Sequence, residues 1–264
     1  PCKKPCPVNA ITYDENGLCV IDDNRCIRCG QCVHSCPFGA ISTKTHLLQV
    51  ISAIKEGKEV YSMCAPATEG QFGKDISMSA IRVALKKLGF TDMVEVGLGG
   101  DMTAAYEALE WSEARKEGKK MTTSCCPAFI NLLKIHFPDQ YHENMSETLS
   151  PMAAVSRYLK AIHPDCVTVF IGPCMAKKSE SQEMGIEGNA DYVLSFGEFS
   201  SLLRSKDVQL EAEVSPYQEA SLWGKNFASS GGVANAVMEC MLERGEDTTD
   251  IKLRACSVVK ECVT

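Results

Sequence analysis

Four cysteines at Cys26-x-x-Cys29-x-x-Cys32-x-x-x-Cys36, followed at once by Pro37, carry the clearest chemistry in this chain. Thiolates are soft anionic ligands. Three of them at two-residue gaps wrap one short loop around a 4Fe–4S cube, while the fourth leaves toward a second cluster and the proline redirects the backbone. A structural zinc site draws on the same donors but sets them as two separated pairs, so the run reads as cluster ligation. The segment also repeats itself. Cys6-Pro7-Val8-Asn9-Ala10-Ile11 lines up with Cys36-Pro37-Phe38-Gly39-Ala40-Ile41, and Cys2 lines up with Cys32. Cys19 fits no ligand position and reads as a small packed side chain.

Two further cysteine motifs follow. The first is Thr123-Ser124-Cys125-Cys126-Pro127-Ala128-Phe129, and the second is Gly172-Pro173-Cys174-Met175-Ala176-Lys177-Lys178-Ser179-Glu180. Either alone would read as a turn with a packed thiol. The chain holds 15 cysteines, an odd number crowded at short spacings, which argues against a secreted disulfide framework and for ligands in a reducing, cytoplasmic compartment. A net charge of −7 gives no basic face for nucleic acid, and no apolar run reaches a membrane span.

These residues need elements to hold them. Short apolar runs at 60–65, 93–96, 121–125 and 167–171 predict strands. Stretches with helical spacing at 76–88, 104–117, 127–136, 151–162 and 233–244 predict helices, and 46–58 predicts an amphipathic connecting helix. Strands alternating with helices make an α/β fold with a parallel sheet, whose ligand sites lie at the carboxyl ends of strands, where both later motifs are expected. The expected organisation is a small α+β iron–sulfur segment over 1–43, a connecting helix over 44–57 and a large α/β domain over 58–264.

Together the motifs resemble the FeFe (iron-only) hydrogenase family over essentially the whole length, with residues 1–43 similar to a two-cluster ferredoxin whose halves exchange their fourth ligands. That resemblance implies one 4Fe–4S cluster on Cys26, Cys29, Cys32 and Cys6. It implies a second on Cys36, Cys2 and two cysteines ahead of Pro1, so that the given chain starts inside its first motif. It also implies an H-cluster, a 4Fe–4S cube bridged to a two-iron centre that carries CO, cyanide and a dithiolate. Cys126 and Cys174 would ligate this cube. Lys177 in the Pro173-Cys174-x-x-Lys177-x-x-Glu180 motif would donate to a cyanide, supported by Glu180, and Ala65-Pro66 would form the opposite wall. The segment Phe227-Ala228-Ser229-Ser230-Gly231-Gly232-Val233 also has a counterpart in the family.

Gly172 stands where the family usually has Met and Phe129 where it usually has Trp, which points to a divergent branch. Cys256 and Cys262 do not match the family's third, glycine-rich motif, which is expected beyond Thr264. For proton delivery the resemblance implies a file of Cys125, Glu107, Ser150 and Glu110. On the residues alone, Glu107 and Glu110 at i and i+3 read as a solvated helix face. The implied activity is reversible hydrogen oxidation, with a ferredoxin-type electron carrier and H-cluster maturation proteins as partners. A hydrogen sensor, a non-catalytic hydrogenase-like protein of iron–sulfur assembly and a plain electron carrier are the alternatives. The intact Cys125–Cys126 pair argues against the second of these, and Lys177 with Glu180 against the third.

Overall fold

The computed structural model describes residues 3–183, 185–212 and 219–253. Cys2, Cys256 and Cys262 therefore lie outside the described residues. The chain opens with an antiparallel hairpin, β1 (Ile11–Tyr13) and β2 (Cys19–Ile21), paired Ile11 to Ile21 and Tyr13 to Cys19, and then a short helix α1 (Gln31–His34). The connecting helix is α2 (Leu47–Lys55). It leads into β3 (Val60–Cys64), α3 (Met78–Leu88), β4 (Asp92–Glu95) and α4 (Val96–Lys116). Next come α5 (Pro127–His136), α6 (Pro138–Asn144), α7 (Pro151–Ile162), β5 (Val167–Gly172) and α8 (Lys177–Glu180). The described chain closes with β6 (Tyr192–Ser195), α9 (Phe196–Ser205), α10 (Leu222–Lys225) and α11 (Gly232–Glu243). No helix among the described residues is long and apolar enough to cross a membrane.

The second sheet is wholly parallel in the order β4-β3-β5-β6. Both of its faces are covered, which is why its strands read as continuous apolar runs. Side chains alternate in space all the same. Val60, Cys64, Val169 and Ile171 meet α2, α3 and α9 on one side, whereas Tyr61, Met63 and Phe170 meet α7 on the other.

Three expectations change. Residues 121–125 are not a strand, since only Thr122 bridges to Met145. The first cysteine motif is therefore not at a strand end. Helix α4 starts eight residues earlier than its periodicity suggests, because Gly97, Gly99 and Gly100 argue against a helix by intrinsic propensity. Packing wins over propensity there, since a Cβ at Gly99 would sit 2.1 Å from the Pro151 carbonyl oxygen and 2.7 Å from Val155. The third change is the unforeseen pair β6 and α9. The strand has only four residues, and its end is set by a capping box in which Ser195 and Glu198 bond each other's backbone.

At the start of β4, burial favours a protonated Asp92, but the bonds from Arg82 at 2.6 Å, the Met93 amide and Lys86 hold its carboxyl down to about 2. A carboxylate depressed by folding adds stability above its ordinary range and loses it as pH falls through the folded value. Asp92→Asn is thus expected to flatten the acid limb of thermal stability between about pH 4 and pH 2, which melts across that window would read.

The iron–sulfur segment docks on the α/β unit through backbone acceptors. Asn131 Nδ2 donates to the Ile27 carbonyl at 3.3 Å and His136 meets the Arg25 carbonyl at 3.0 Å, while just past the segment Lys178 Nζ donates to the Lys44 carbonyl at 2.9 Å. Gly30, with φ at 80°, is a further point of close approach. A Cβ there would lie 2.8 Å from Met175 Cβ, so the loop between Cys29 and Cys32 rests on the residue that follows Cys174. Gly30→Ala is expected to destabilise by about 1–3 kcal/mol, from left-handed strain plus overpacking, and to loosen this contact first. Hydrogen exchange that rises around 25–45 before the sheet opens would check it.

Candidate active site

The carboxyl ends of β3 and β5 lie side by side, with Cys64 paired to Ile171 and the Ala65 amide donating to the Ile171 carbonyl at 2.9 Å. Ala65 and Pro66 thus adjoin Gly172, Pro173 and Cys174. Gly172 has a steric reason: a Cβ would fall 2.9 Å from Ala65 Cβ and 2.6 Å from the Phe170 ring.

Beyond Cys174 the chain turns into α8, one turn that buries Lys177, Lys178 and Glu180. Lys177 Nζ donates to Glu180 Oε2 at 2.6 Å and to the Cys125 carbonyl at 3.3 Å. Removing either partner of such a pair would strand a buried charge, which typically costs about 3–5 kcal/mol. Lys178 pairs with Glu198 at 2.8 Å. The bond from Lys177 to Cys125 joins the two cysteine motifs although one lies at a strand end and the other on a loop.

That loop is held by its own ties. The Thr122 amide donates to the Asn144 carbonyl and the Ser146 amide to the Thr122 carbonyl, at 2.7 and 2.9 Å. Pro127 is the first residue of α5, so the exposed Cys126 sits in the capping position. Cys174 is half-buried. Cys125 turns inward against Ala104, Phe227 and Ala236, and burial pushes its thiol up.

The four residues expected as a file are divided. Glu107 is buried, and that burial raises its carboxyl. It accepts from Thr123 Oγ1 at 2.6 Å and from the Ser124 amide at 3.2 Å, while the Thr123 hydroxyl also bonds Cys125. Ser146, not Ser150, stands beside the glutamates: its hydroxyl donates to Glu110 Oε2 at 2.5 Å, and by turning it can donate to Glu107 instead, whose carboxyl it lowers. Ser150 instead donates to Glu180 Oε1 and caps α7 by accepting from the Ala153 amide at 3.3 Å. Placing Ser150 between Glu107 and Glu110 is therefore corrected. Three hydroxyls, Ser146, Thr148 and Ser150, lie in this irregular segment, and sequence spacing cannot rank them. Thr123 was visible inside its motif but unassigned.

In the N-terminal segment Cys6, Cys26, Cys29 and Cys32 line one cavity of about 500 Å³, and Cys36 is not among its walls. The repeat carries through to the hydrogen bonds. The Ala10 amide donates to Cys6 Sγ at 3.2 Å and the Ala40 amide to Cys36 Sγ at 3.3 Å. Among the described residues no three Cys, His, Asp or Glu side chains converge as one metal ion would need. A tetrahedral zinc with bonds of about 2.3 Å draws its sulfurs to about 3.8 Å, whereas a cube holds them farther apart. Four soft sulfurs around a roomy cavity, with an amide aimed at one of them, fit a cube.

Residues 58–263 match the family model for the iron only hydrogenase large subunit, C-terminal domain. The chain belongs to this family. Within it, residues 19–42 match a 4Fe-4S binding domain, so the chain joins an iron–sulfur motif to a hydrogenase-type oxidoreductase domain. Iron hydrogenase 1 of Clostridium pasteurianum is 27% identical over an alignment that covers 93% of this chain and 50% of that one. A subunit of an NADP-reducing hydrogenase from Solidesulfovibrio fructosivorans is 26% identical, over 84% of this chain and 43% of that one. The chain thus spans about half the length of these relatives. Among solved structures, an apo FeFe-hydrogenase variant from Chlamydomonas reinhardtii superposes with a TM-score of 0.63 at 24% identity, covering 81% of this chain and 62% of that one. The hydrogenase-family α/β fold with its parallel sheet is as expected.

Proposed function

We propose that the chain carries the core of a hydrogen-activating enzyme, 2H⁺ + 2e⁻ ⇌ H₂, with electrons entering through the N-terminal iron–sulfur segment. The observation that supports this most is the buried Lys177, which donates at once to Glu180 and to the backbone of Cys125. A lysine held this way fixes a cation against the backbone of the first cysteine motif from within the second, the kind of donor an anionic cofactor ligand would need. The cofactor, an H-cluster on Cys126 and Cys174, would supply when bound the metal centre at which the H–H bond is made or broken.

The chain's own residues then have separable tasks. Ala65, Pro66 and Pro173 would wall the cofactor's site, and Lys177 with Glu180 would orient its anionic ligands. Cys125, Thr123, Glu107, Ser146 and Glu110 hold and pass protons. Solved structures of the algal enzyme include variants at two glutamates three positions apart, the spacing of Glu107 and Glu110. The approach of Gly30 to Met175, the residue after Cys174, supports a short way for electrons between a cube held by the Cys29–Cys32 loop and one held by Cys174. A ferredoxin-like carrier would dock at the N-terminal segment, a second cluster would use Cys36 and Cys2, maturation proteins would deliver the two-iron centre, and the setting would be cytoplasmic. The domain limits proposed are 1–43, 44–57 and 58–264.

The test is iron counting and electron paramagnetic resonance on the complete protein reconstituted with iron and sulfide. Cys174→Ala is expected to lose one cube's worth of iron and keep the signal of the cluster on Cys26, Cys29 and Cys32, and Cys29→Ala the reverse. Full iron content in Cys174→Ala would refute the reading.

A further inference from the structure

We infer that Lys177, Glu180 and Ser150 form a proton file of their own, separate from the file through Glu107, that opens into a polar cavity under α7. Its links are all bonded. Lys177 Nζ donates to Glu180 Oε2 at 2.6 Å, and Ser150 donates to Glu180 Oε1, so one carboxylate bridges the ammonium and the hydroxyl from opposite oxygens. Ser150 and Glu180 are both buried, yet both border a cavity of about 600 Å³. Exposed Arg28, Glu147 and Glu183 also line that cavity and connect it to water. Ser146 of the other file lines the same cavity.

The valences of Ser150 allow passage. Its oxygen has two lone pairs, one occupied by the Ala153 amide at 3.3 Å, and the second is free to accept from a cavity water. The outward step is balanced. The Lys177 ammonium gives a proton to Glu180 Oε2, leaving a neutral amine and a carboxylic acid. A half-turn of the carboxyl presents that hydrogen to Ser150 Oγ, and Ser150 gives its own proton to a cavity water, which leaves as hydronium. The inward step is the reverse: hydronium gives a proton to Ser150 as Ser150 gives its own to the Glu180 carboxylate. After the half-turn the acid gives that proton to the neutral Lys177 amine. No electron moves and no bond other than O–H and N–H changes. A buried ammonium with no such outlet would exchange its hydrogens only when the fold opens. The part this file would play in hydrogen chemistry rests on the function proposed above, but the file itself does not.

The experiment is hydrogen exchange at the Lys177 ammonium, followed by NMR in the full chain labelled with ¹⁵N-lysine. Ser150→Asn keeps an oxygen to cap α7 but has no hydroxyl to relay a proton, and it is expected to slow the exchange about tenfold or more. Ser150→Thr, which restores a hydroxyl, is expected to exchange at the parent rate. Should the Asn variant not fold, Ser150→Gly serves, since glycine costs an N-cap only a few tenths of a kcal/mol. Parent-rate exchange without the hydroxyl, or equally slow exchange in Ser150→Thr, would overturn the assignment. Because the readout needs no hydrogen turnover, its failure is distinct from failure of the hydrogenase reading.

Discussion

Replacing Cys125 with alanine is expected to lower hydrogen turnover by about 10²–10⁴-fold, the usual worth of one positioned acid–base group, while cluster content stays intact. The geometry separates the two cysteines of the pair. Cys126 is exposed at the head of α5 and free to face a metal, whereas Cys125 turns into a pocket of Ala104, Phe227 and Ala236. Burial pushes the Cys125 thiol up and so favours its protonated form, and the thiol bonds the Thr123 hydroxyl, which in turn donates to Glu107. Losing the sulfur therefore removes a carrier and no ligand. The measurement is hydrogen evolution by the complete, cofactor-loaded protein, alongside iron content and the infrared bands of CO and cyanide. Loss of those bands would show that Cys125 holds the cofactor, and near-parent turnover would show that protons enter elsewhere. Because Cys125 packs as a small apolar side chain against Ala104, Phe227 and Ala236, the alanine variant is expected to lose about 1 kcal/mol of stability and still fold.

How far the chain could be read in advance follows from how local each signal is. The run from Cys26 to Cys36 and its repeat at Cys6 are legible because short spacing alone shapes the loop, and the amides of Ala10 and Ala40 show one geometry used twice. Helices α5 and α7 begin at Pro127 and Pro151, where proline at the first turn marks the start without help from the rest of the fold. The start of α4 was hidden because its glycines answer to the Pro151 carbonyl and Val155, partners about 50 residues away. The choice of Ser146 over Ser150 was hidden for the same kind of reason. It depends on the bridge of Thr122 to Met145, which turns Ser146 toward α4 and leaves Ser150 to face α8. A resemblance to a family carried the residue types across, but only packing could assign the hydroxyl.

Glu107→Gln and Ser146→Ala are both expected to cut turnover by about 10²–10³-fold, with Ser150→Asn far milder in the same assay. The carboxyl of Glu107 is the one group that touches both neighbours of the file, Thr123 on the inner side and Ser146 on the outer. Burial lifts its proton affinity and the negative charge of Glu110 lifts it further, while the bonds from Thr123 and Ser124 oppose them. The net rise makes Glu107 easier to protonate near neutrality than an exposed carboxylate, as a carrier between a thiol and water requires. Glutamine keeps the shape and can still accept from Thr123, so the cluster and the fold stay, but no exchangeable acid remains. Ser146→Ala breaks the file at the next link and removes a hydroxyl that lowers the Glu107 carboxyl, so that carboxyl is expected to rise further. Any turnover left in that variant should then fall off at higher pH than in the parent. A pH profile of hydrogen evolution, taken with infrared confirmation of the cofactor, reads both effects. If Ser150→Asn proved as damaging as Ser146→Ala, the main proton flow would run through Glu180 instead, and Glu107→Gln would then keep near-parent turnover.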